Sequence, residues 1–273
     1  MKITRNPTSD PHNLRRDNRI TINPFTGGRL AMLLAGMLLL SAPQSRADTL
    51  TVAVAANFAE TLETLVAQFE KTSPHRVRLV RGSSGRHFAQ IVNGAPFELF
   101  FSADASRPAE LVARLGLPAD RLRTYARGRL VLWGPGQGSA EQVEQSLRDG
   151  TFKTLAIANP RLAPYGQAAV ETLQALGLGD LLENGTGRVV RGENVAQTYQ
   201  YVATGNAELG FVAQSQVLAA GNSAWWLVPE SLYQPIIQQL VVLQDSPAGR
   251  ELLDFLATPQ AAAQIEAAGY GLP

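Results

Sequence analysis

Short β-branched or aromatic runs alternate with longer segments of helical period from residue 50 to residue 270, and this alternation constrains the fold most. Residues 50–55 (LTVAVA) predict a strand, after which Phe58, Leu62, Leu65, Val66 and Phe69 repeat at helix spacing. Residues 76–80 (RVRLV) predict a second strand, followed by a short helix carrying Phe88, Ile91 and Val92. Residues 97–101 (FELFF) predict a buried strand that includes Glu98, and a helix through residues 108–115 follows, capped by Asp104. A β-α-β-α order implies a mostly parallel sheet with helices on both faces.

A second set of units begins at residues 129–133 (RLVLW), a strand that breaks at Gly134-Pro135-Gly136-Gln137-Gly138. Helices are expected at 140–148, 166–176 and 195–204, and strands at 154–157, 189–190 and 208–212. Residues 236–243 (IIQQLVVL) read as a late strand that returns the chain to the first domain, and two short helices close the chain around Pro259. The domain boundary falls near residue 128. With 273 residues, 45% apolar and 17% charged, the chain is long enough for two domains with a real core. A disordered tail and a coiled coil are excluded.

The net charge of +1 averages two unlike segments. Residues 1–47 hold seven basic side chains against Asp10 and Asp17, a net of +5, which leaves −4 for residues 48–273. The basic stretch ends at Arg29, and an apolar run of eleven (LAMLLAGMLLL) follows. A bilayer span needs roughly 20 apolar residues, so the run reads as the core of a signal peptide over residues 1–47. Ser45-Arg46-Ala47 is small-x-small, which places cleavage before Asp48. The pair Arg15-Arg16 lies thirteen residues from the apolar run and makes a poor twin-arginine signal. Cysteine is absent, which removes thiolate metal sites, cysteine nucleophiles and a lipid-bearing cysteine at the cleavage point. An exported, soluble protein is expected, and a net of −4 offers no basic footprint for nucleic acid.

The strand-to-helix junctions carry the chemistry. Asn57 reads as an N-cap with Glu60 completing a capping box, Ser83-Ser84 stands before the second helix, Tyr165 follows a Pro- and Gly-rich turn, and Asn194 caps the helix opened by Val195. Such junctions lie at the carboxyl ends of parallel strands, where ligands bind, and helix starts attract anions through unpaired N–H groups and the macrodipole. Enzymatic motifs are lacking: there is no H-E-x-x-H, phosphate loop or dinucleotide fingerprint. Ser84 and His87 could meet at i, i+3, but GSSG is not a nucleophile elbow, and His87 reads as a solvated surface histidine. Trp225-Trp226 reads as core or interdomain packing.

The segments TVAVAANFAETLETLVAQFE, RGSSGRHFAQIVNGAPFELFFSAD, GRLVLWGPG, IANPRLAPYGQAAVETLQALG, ENVAQTYQYVATGNAELGFVAQSQV and AAAQIEAAGYGLP run in order over essentially all of residues 48–273. Together they resemble the molybdate-binding periplasmic proteins of ABC importers, the ModA family. The resemblance implies an α/β, two-lobed type II periplasmic binding protein, with lobe I at 48–127 plus 240–273 and lobe II at 128–239. It implies capture of molybdate or tungstate between the lobes by Asn57, with the neighbouring backbone at Ala56, and by Ser84, Tyr165 and Val195. Asn57 and Ser84 would donate from side chain and backbone, Tyr165 and Val195 mainly from backbone, as oxyanion contacts and not as direct metal ligands. Asn57 stands where some members carry serine, and Ala213 where some carry a tyrosine shortly after the strand.

The same resemblance implies no cofactor and no catalysis, a monomer that closes on its ligand about crossings near 127–129 and 234–242, and delivery to a membrane permease. Neutral donors suit a dianion that brings no proton; a ring spaced for molybdate is too wide for sulfate, and phosphate would need an acceptor. Two other functions stand beside this one. A protein of the same architecture could bind sulfate, ferric ion or an organic anion, although Tyr199 and Tyr201 on one helix do not make a ferric site. A secreted serine hydrolase would use Ser84 and His87.

Overall fold

In the computed structural model, residues 48–183, 187–222 and 224–273 are described. The basic leader, the apolar run and the cleavage point lie outside the described residues. Strand β1 (Thr49–Ala55) is buried at six of its seven positions, the pattern of a strand covered on both faces. It pairs in parallel with β2 (Arg76–Gly82) and β3 (Leu99–Phe101), so that Val52 stands between Leu79 and Leu99. The late strand β10 (Ile236–Val242) runs antiparallel between β3 and β4 (Leu122–Gly128), giving the order β2-β1-β3-β10-β4.

The second sheet repeats this plan. Its order is β7-β6-β8-β5-β9, built from β5 (Leu130–Trp133), β6 (Leu155–Ala158), β7 (Val189–Gly192), β8 (Leu209–Ala213) and β9 (Trp225–Leu227). Only β5 is reversed, being antiparallel to both β8 and β9. Each sheet is thus mixed, yet four of its five strands share a direction, which is the mostly parallel arrangement that the alternation predicts.

Helices cover both sheets. Helix α1 (Ala59–Thr72) buries Leu62, Leu65, Val66 and Phe69, the i, i+3, i+4, i+7 stripe, in the core of the first sheet. It is followed by α2 (Ser84–Val92) and α3 (Ser106–Leu115). Helices α4 (Ala140–Asp149), α5 (Pro164–Ala175), α6 (Val195–Ala203) and α7 (Gln214–Ala219) accompany the second sheet. The chain then returns through α8 (Pro247–Leu256) and α9 (Pro259–Ala267) to the first. It leaves the first sheet at Gly128, enters the second at Leu130, and rejoins the first along the whole of β10.

Several expectations are corrected. Asn57 is not the N-cap of α1, and Glu60 does not complete a capping box: Phe58 occupies the cap with no side-chain bond. The reason is a turn in which Phe58 N–H returns to Ala55 O at 2.9 Å while the Asn57 amide is drawn into the core. Glu98 lies just outside β3, where its carboxylate accepts Thr51 N–H at 2.8 Å. Asp104 does cap α3, from one residue before the cap position, by accepting Arg107 N–H at 2.9 Å. Strand β4 has no counterpart in the sequence reading, because the exposed Arg123 and Arg127 conceal a strand whose other face holds the buried Ala126 and Gly128. Trp225 and Trp226 form the edge strand β9, with Trp226 in the core of the second sheet.

Candidate functional site

Three helix starts are built by local chemistry. Ser83 caps α2 from an extended backbone (φ −79°, ψ 150°) and accepts Arg86 N–H, which leaves Ser84 as the first helical residue. Asn194 caps α6 in the same way, accepting Gln197 N–H at 3.0 Å, and Val195 is first in that helix. Helix α5 opens with Pro164, whose missing N–H is no loss at that position, and Tyr165 follows it. Gly166 is required there, because a Cβ would strike the carbonyl of Ala158 at the end of β6.

Bonds between the two halves bring these starts together. Gly85 N–H donates to Leu162 O at 2.8 Å, and a Cβ on Gly85 would sit 2.9 Å from Leu162 Cα. Ser215 Oγ, at the start of α7, donates to Asn57 O at 3.2 Å, and the next residue, Gln216, reaches Val195 O at 3.4 Å. Asn57, Ser84, Tyr165 and Val195 are each at most 3% exposed. Among the described residues, the backbone N–H groups of these four find no protein acceptor. Ala56 differs, since its N–H is used by Gly82 O at 2.8 Å. The closed cleft therefore holds four buried N–H donors, three of them at helix starts, a set suited to an anion.

Side chains complete the setting without adding a net charge. Ser84 Oγ accepts Ala103 N–H at 2.9 Å, which leaves the hydroxyl proton free to donate. The Asn57 side chain is engaged elsewhere: Nδ2 donates to Gln238 Oε1 at 2.9 Å and to Tyr270 OH at 3.4 Å, so its unengaged donor is the backbone. Nearby charges are paired, Arg86 with Glu193 at 2.8 Å, Arg107 with Asp104 and Arg81 with Glu63. Burial pushes the Tyr165 and Tyr125 phenols well above their ordinary 10 and that of Tyr270 up to about 12, so all three stay neutral. Among the described residues no group of three or more His, Cys, Asp or Glu could hold a bare metal ion.

Beneath the site lies a polar cluster that the sequence reading missed. Gln238, fully buried, also accepts from Tyr125 OH at 2.9 Å and reaches Tyr165 OH at 3.4 Å. Tyr270 OH donates to Asn57 O at 2.6 Å and lies 2.9 Å from Ser215 Oγ. The one signal in the sequence is the glutamine pair in the middle of IIQQLVV, of which Gln238 falls on the buried face. Ala213 ends β8 fully buried.

Ser84 and His87 do not form a catalytic pair. His87 is 1% exposed, which corrects the expectation of a solvated surface histidine: its ring fills the space above Gly82, where a Cβ would lie 2.7 Å from Nε2. Its Nε2 faces Val54 O at 3.2 Å and its Nδ1 faces Gln90 at 3.1 Å, and burial lowers its pKa. Tyr199 stacks on Trp133 with 4.7 Å between ring centroids, and its hydroxyl accepts from Asn222 Nδ2 at 3.0 Å. Hollows flank the cleft. One of about 650 Å³ is lined by Asn57, Glu60, Arg81, Gln216 and Gln264, and one of about 370 Å³ by Asp104, Arg107, Pro164 and Gln234.

Two α/β sheets that face each other across a closed cleft lined with helix starts define a two-lobed solute-binding protein. The chain belongs to the family of bacterial extracellular solute-binding proteins, which it matches over residues 50–271. It is 44% identical over 254 residues to the molybdate-binding protein ModA of Azotobacter vinelandii, covering 91% of this chain and 99% of the relative. It is 41% identical over 248 residues to the molybdate-binding protein ModA of Rhodobacter capsulatus, covering 88% and 94%. The solved structure of the Azotobacter vinelandii periplasmic molybdate-binding protein superposes with a TM-score of 0.75 at 39% identity, over 82% of this chain and 99% of that one. Among the described residues, no helix is long and apolar enough to cross a membrane.

Proposed function

We propose that this protein captures molybdate, and tungstate by the same chemistry, outside the cytoplasm and delivers it to the permease of an ABC importer. The observation that carries the reading is the set of four buried N–H groups, from Asn57, Ser84, Tyr165 and Val195, beside which Arg86 and Arg107 are each paired with a carboxylate. Ser84 Oγ adds a side-chain donor, while Ala56 contributes by holding the turn in place through Gly82. Molybdate carries no proton at neutral pH, so a donor-only site satisfies its oxygens. Protonated phosphate would set an O–H against donors, and the smaller sulfate would not reach all of them. A site without a salt bridge also lets the ion go when the lobes part.

In this reading, lobe I begins at residue 48 and lobe II at residue 128, and the expected return at 240 moves to the start of β10, which puts Gln238 in lobe I and Tyr165 in lobe II. The pairing of β10 from Ile236 onward favours a return crossing between β9 and β10. The protein acts as a monomeric carrier and not as a catalyst, in the periplasm, after removal of the leader near Ala47. A thermal shift of the purified protein against molybdate, tungstate, sulfate and phosphate tests it. Ligand at 100 times its dissociation constant adds about 2.7 kcal/mol of stability. Stabilisation by sulfate with none by molybdate overturns the assignment in favour of another anion.

A further inference from the structure

We infer that Gln238 is a positioning residue that joins the two halves of the anion site and so sets how long the closed cleft holds its ligand. The inference rests on the anion-binding reading above and concerns a residue that does not itself touch the ligand position. Gln238 lies at the irregularity in β10, where the register against β4 shifts between Gln238 and Gln239. Its Oε1 accepts from Asn57 Nδ2 at 2.9 Å and lies 2.9 Å from Tyr125 OH, whose one proton is shared with Ser102 O at 3.0 Å. In this orientation Nε2 faces Tyr165 OH at 3.4 Å.

The Tyr165 ring therefore reaches from the start of α5, where its N–H faces the cleft, down to the strand crossings. The other crossing meets it there, since a Cβ on Gly128 would lie 2.6 Å from Gln238 Nε2 and would also strike the Tyr165 hydroxyl. One fully buried amide thus links Asn57, which belongs to the first sheet's junction, to Tyr165, which belongs to the second's. Parting the lobes withdraws Tyr165 from that amide. The bond exists only in the closed form and opposes opening, while the approach of a ligand to the open form does not involve it.

The test is stopped-flow measurement of molybdate association and dissociation by tryptophan fluorescence on the wild-type protein, Gln238→Leu, Tyr165→Phe and the double variant. Association stays within about twofold of wild type, while dissociation rises on the order of tenfold in each single variant. The double variant exceeds the worse single by no more than about threefold, since both remove one contact. A purely structural role would instead lower the active fraction and leave the rates of the surviving protein unchanged. That outcome overturns the inference, as do unaltered dissociation rates or single effects that multiply. Where Gln238→Leu fails to fold, Tyr165→Phe carries the test, since it leaves Gln238 bonded to Asn57 and Tyr125 and removes only the contact to Nε2, and it is expected to show the same rise. A wild-type protein that ignores molybdate overturns the binding reading itself, whereas binding with unaffected variants overturns this inference alone.

Discussion

Arg86 Nη1 lies 2.8 Å from Glu193 Oε1 and ties the first turn of α2 to the loop before α6. Each partner stands two residues from a buried N–H of the cleft, Arg86 from Ser84 and Glu193 from Val195. The pair therefore closes the rim over the donors while leaving the interior uncharged. Both side chains remain largely exposed, at 57% and 45%.

That exposure limits the strength of the rim contact. An exposed ion pair contributes about 1 kcal/mol or less, so Glu193→Gln is expected to speed ligand dissociation by no more than about fivefold. The difference from wild type should disappear near 1 M salt, where the screening length falls to about 3 Å. Dissociation rates at low and high ionic strength check this.

Gly85→Ala should block closure without harming the fold. The residue is second in α2, where alanine favours the helix, but the added Cβ would press on Leu162 Cα at 2.9 Å across the cleft. The expected outcome is unchanged thermal stability of the ligand-free protein with at least about tenfold weaker binding by calorimetry, a cost on the order of 1.4 kcal/mol.

Ser84→Ala should weaken both folding and binding. It removes the one acceptor that Ala103 N–H, a buried group, finds among the described residues, and a donor at the anion position. Leaving the amide without a partner costs about 1–3 kcal/mol, visible as a lower urea midpoint without ligand. Titration calorimetry should show a separate loss of affinity of similar size.

His87 makes stability depend on pH in one direction. Burial lowers its pKa from the ordinary 6.5, so below that value the unfolded chain takes up a proton that the native ring refuses. Its contribution is intact above pH 6.5 and is lost as pH falls toward the native value, at no more than about 1.4 kcal/mol per pH unit. Urea midpoints measured from pH 7 to pH 5 should fall less steeply for His87→Gln than for wild type.

Much of the fold is legible in the chain because burial stripes and strand runs are local patterns. The α1 stripe, the β1 run and the Ser83 and Asn194 caps depend on neighbours within a few residues. Strand β4 escaped because its exposed arginines mask a pairing with a partner more than a hundred residues away. His87 was misplaced for a related reason: the absent Cβ of Gly82 and the rings of Phe97 and Phe100 create its buried niche, and only folding assembles them.

The sequence by itself determined the alternation of strands and helices, the helix starts that offer N–H groups, and the lack of cysteine and catalytic motifs. These follow from side-chain period and cap chemistry, which act over one or two turns. The tertiary structure alone decided which donors stay available. It tied the Asn57 amide to Gln238 and Tyr270, used the Ala56 N–H at Gly82, and left four backbone donors facing one cleft. Hydrogen-bond partners drawn from both ends of the chain compete for each polar group, and that competition is settled only when the two sheets close on each other.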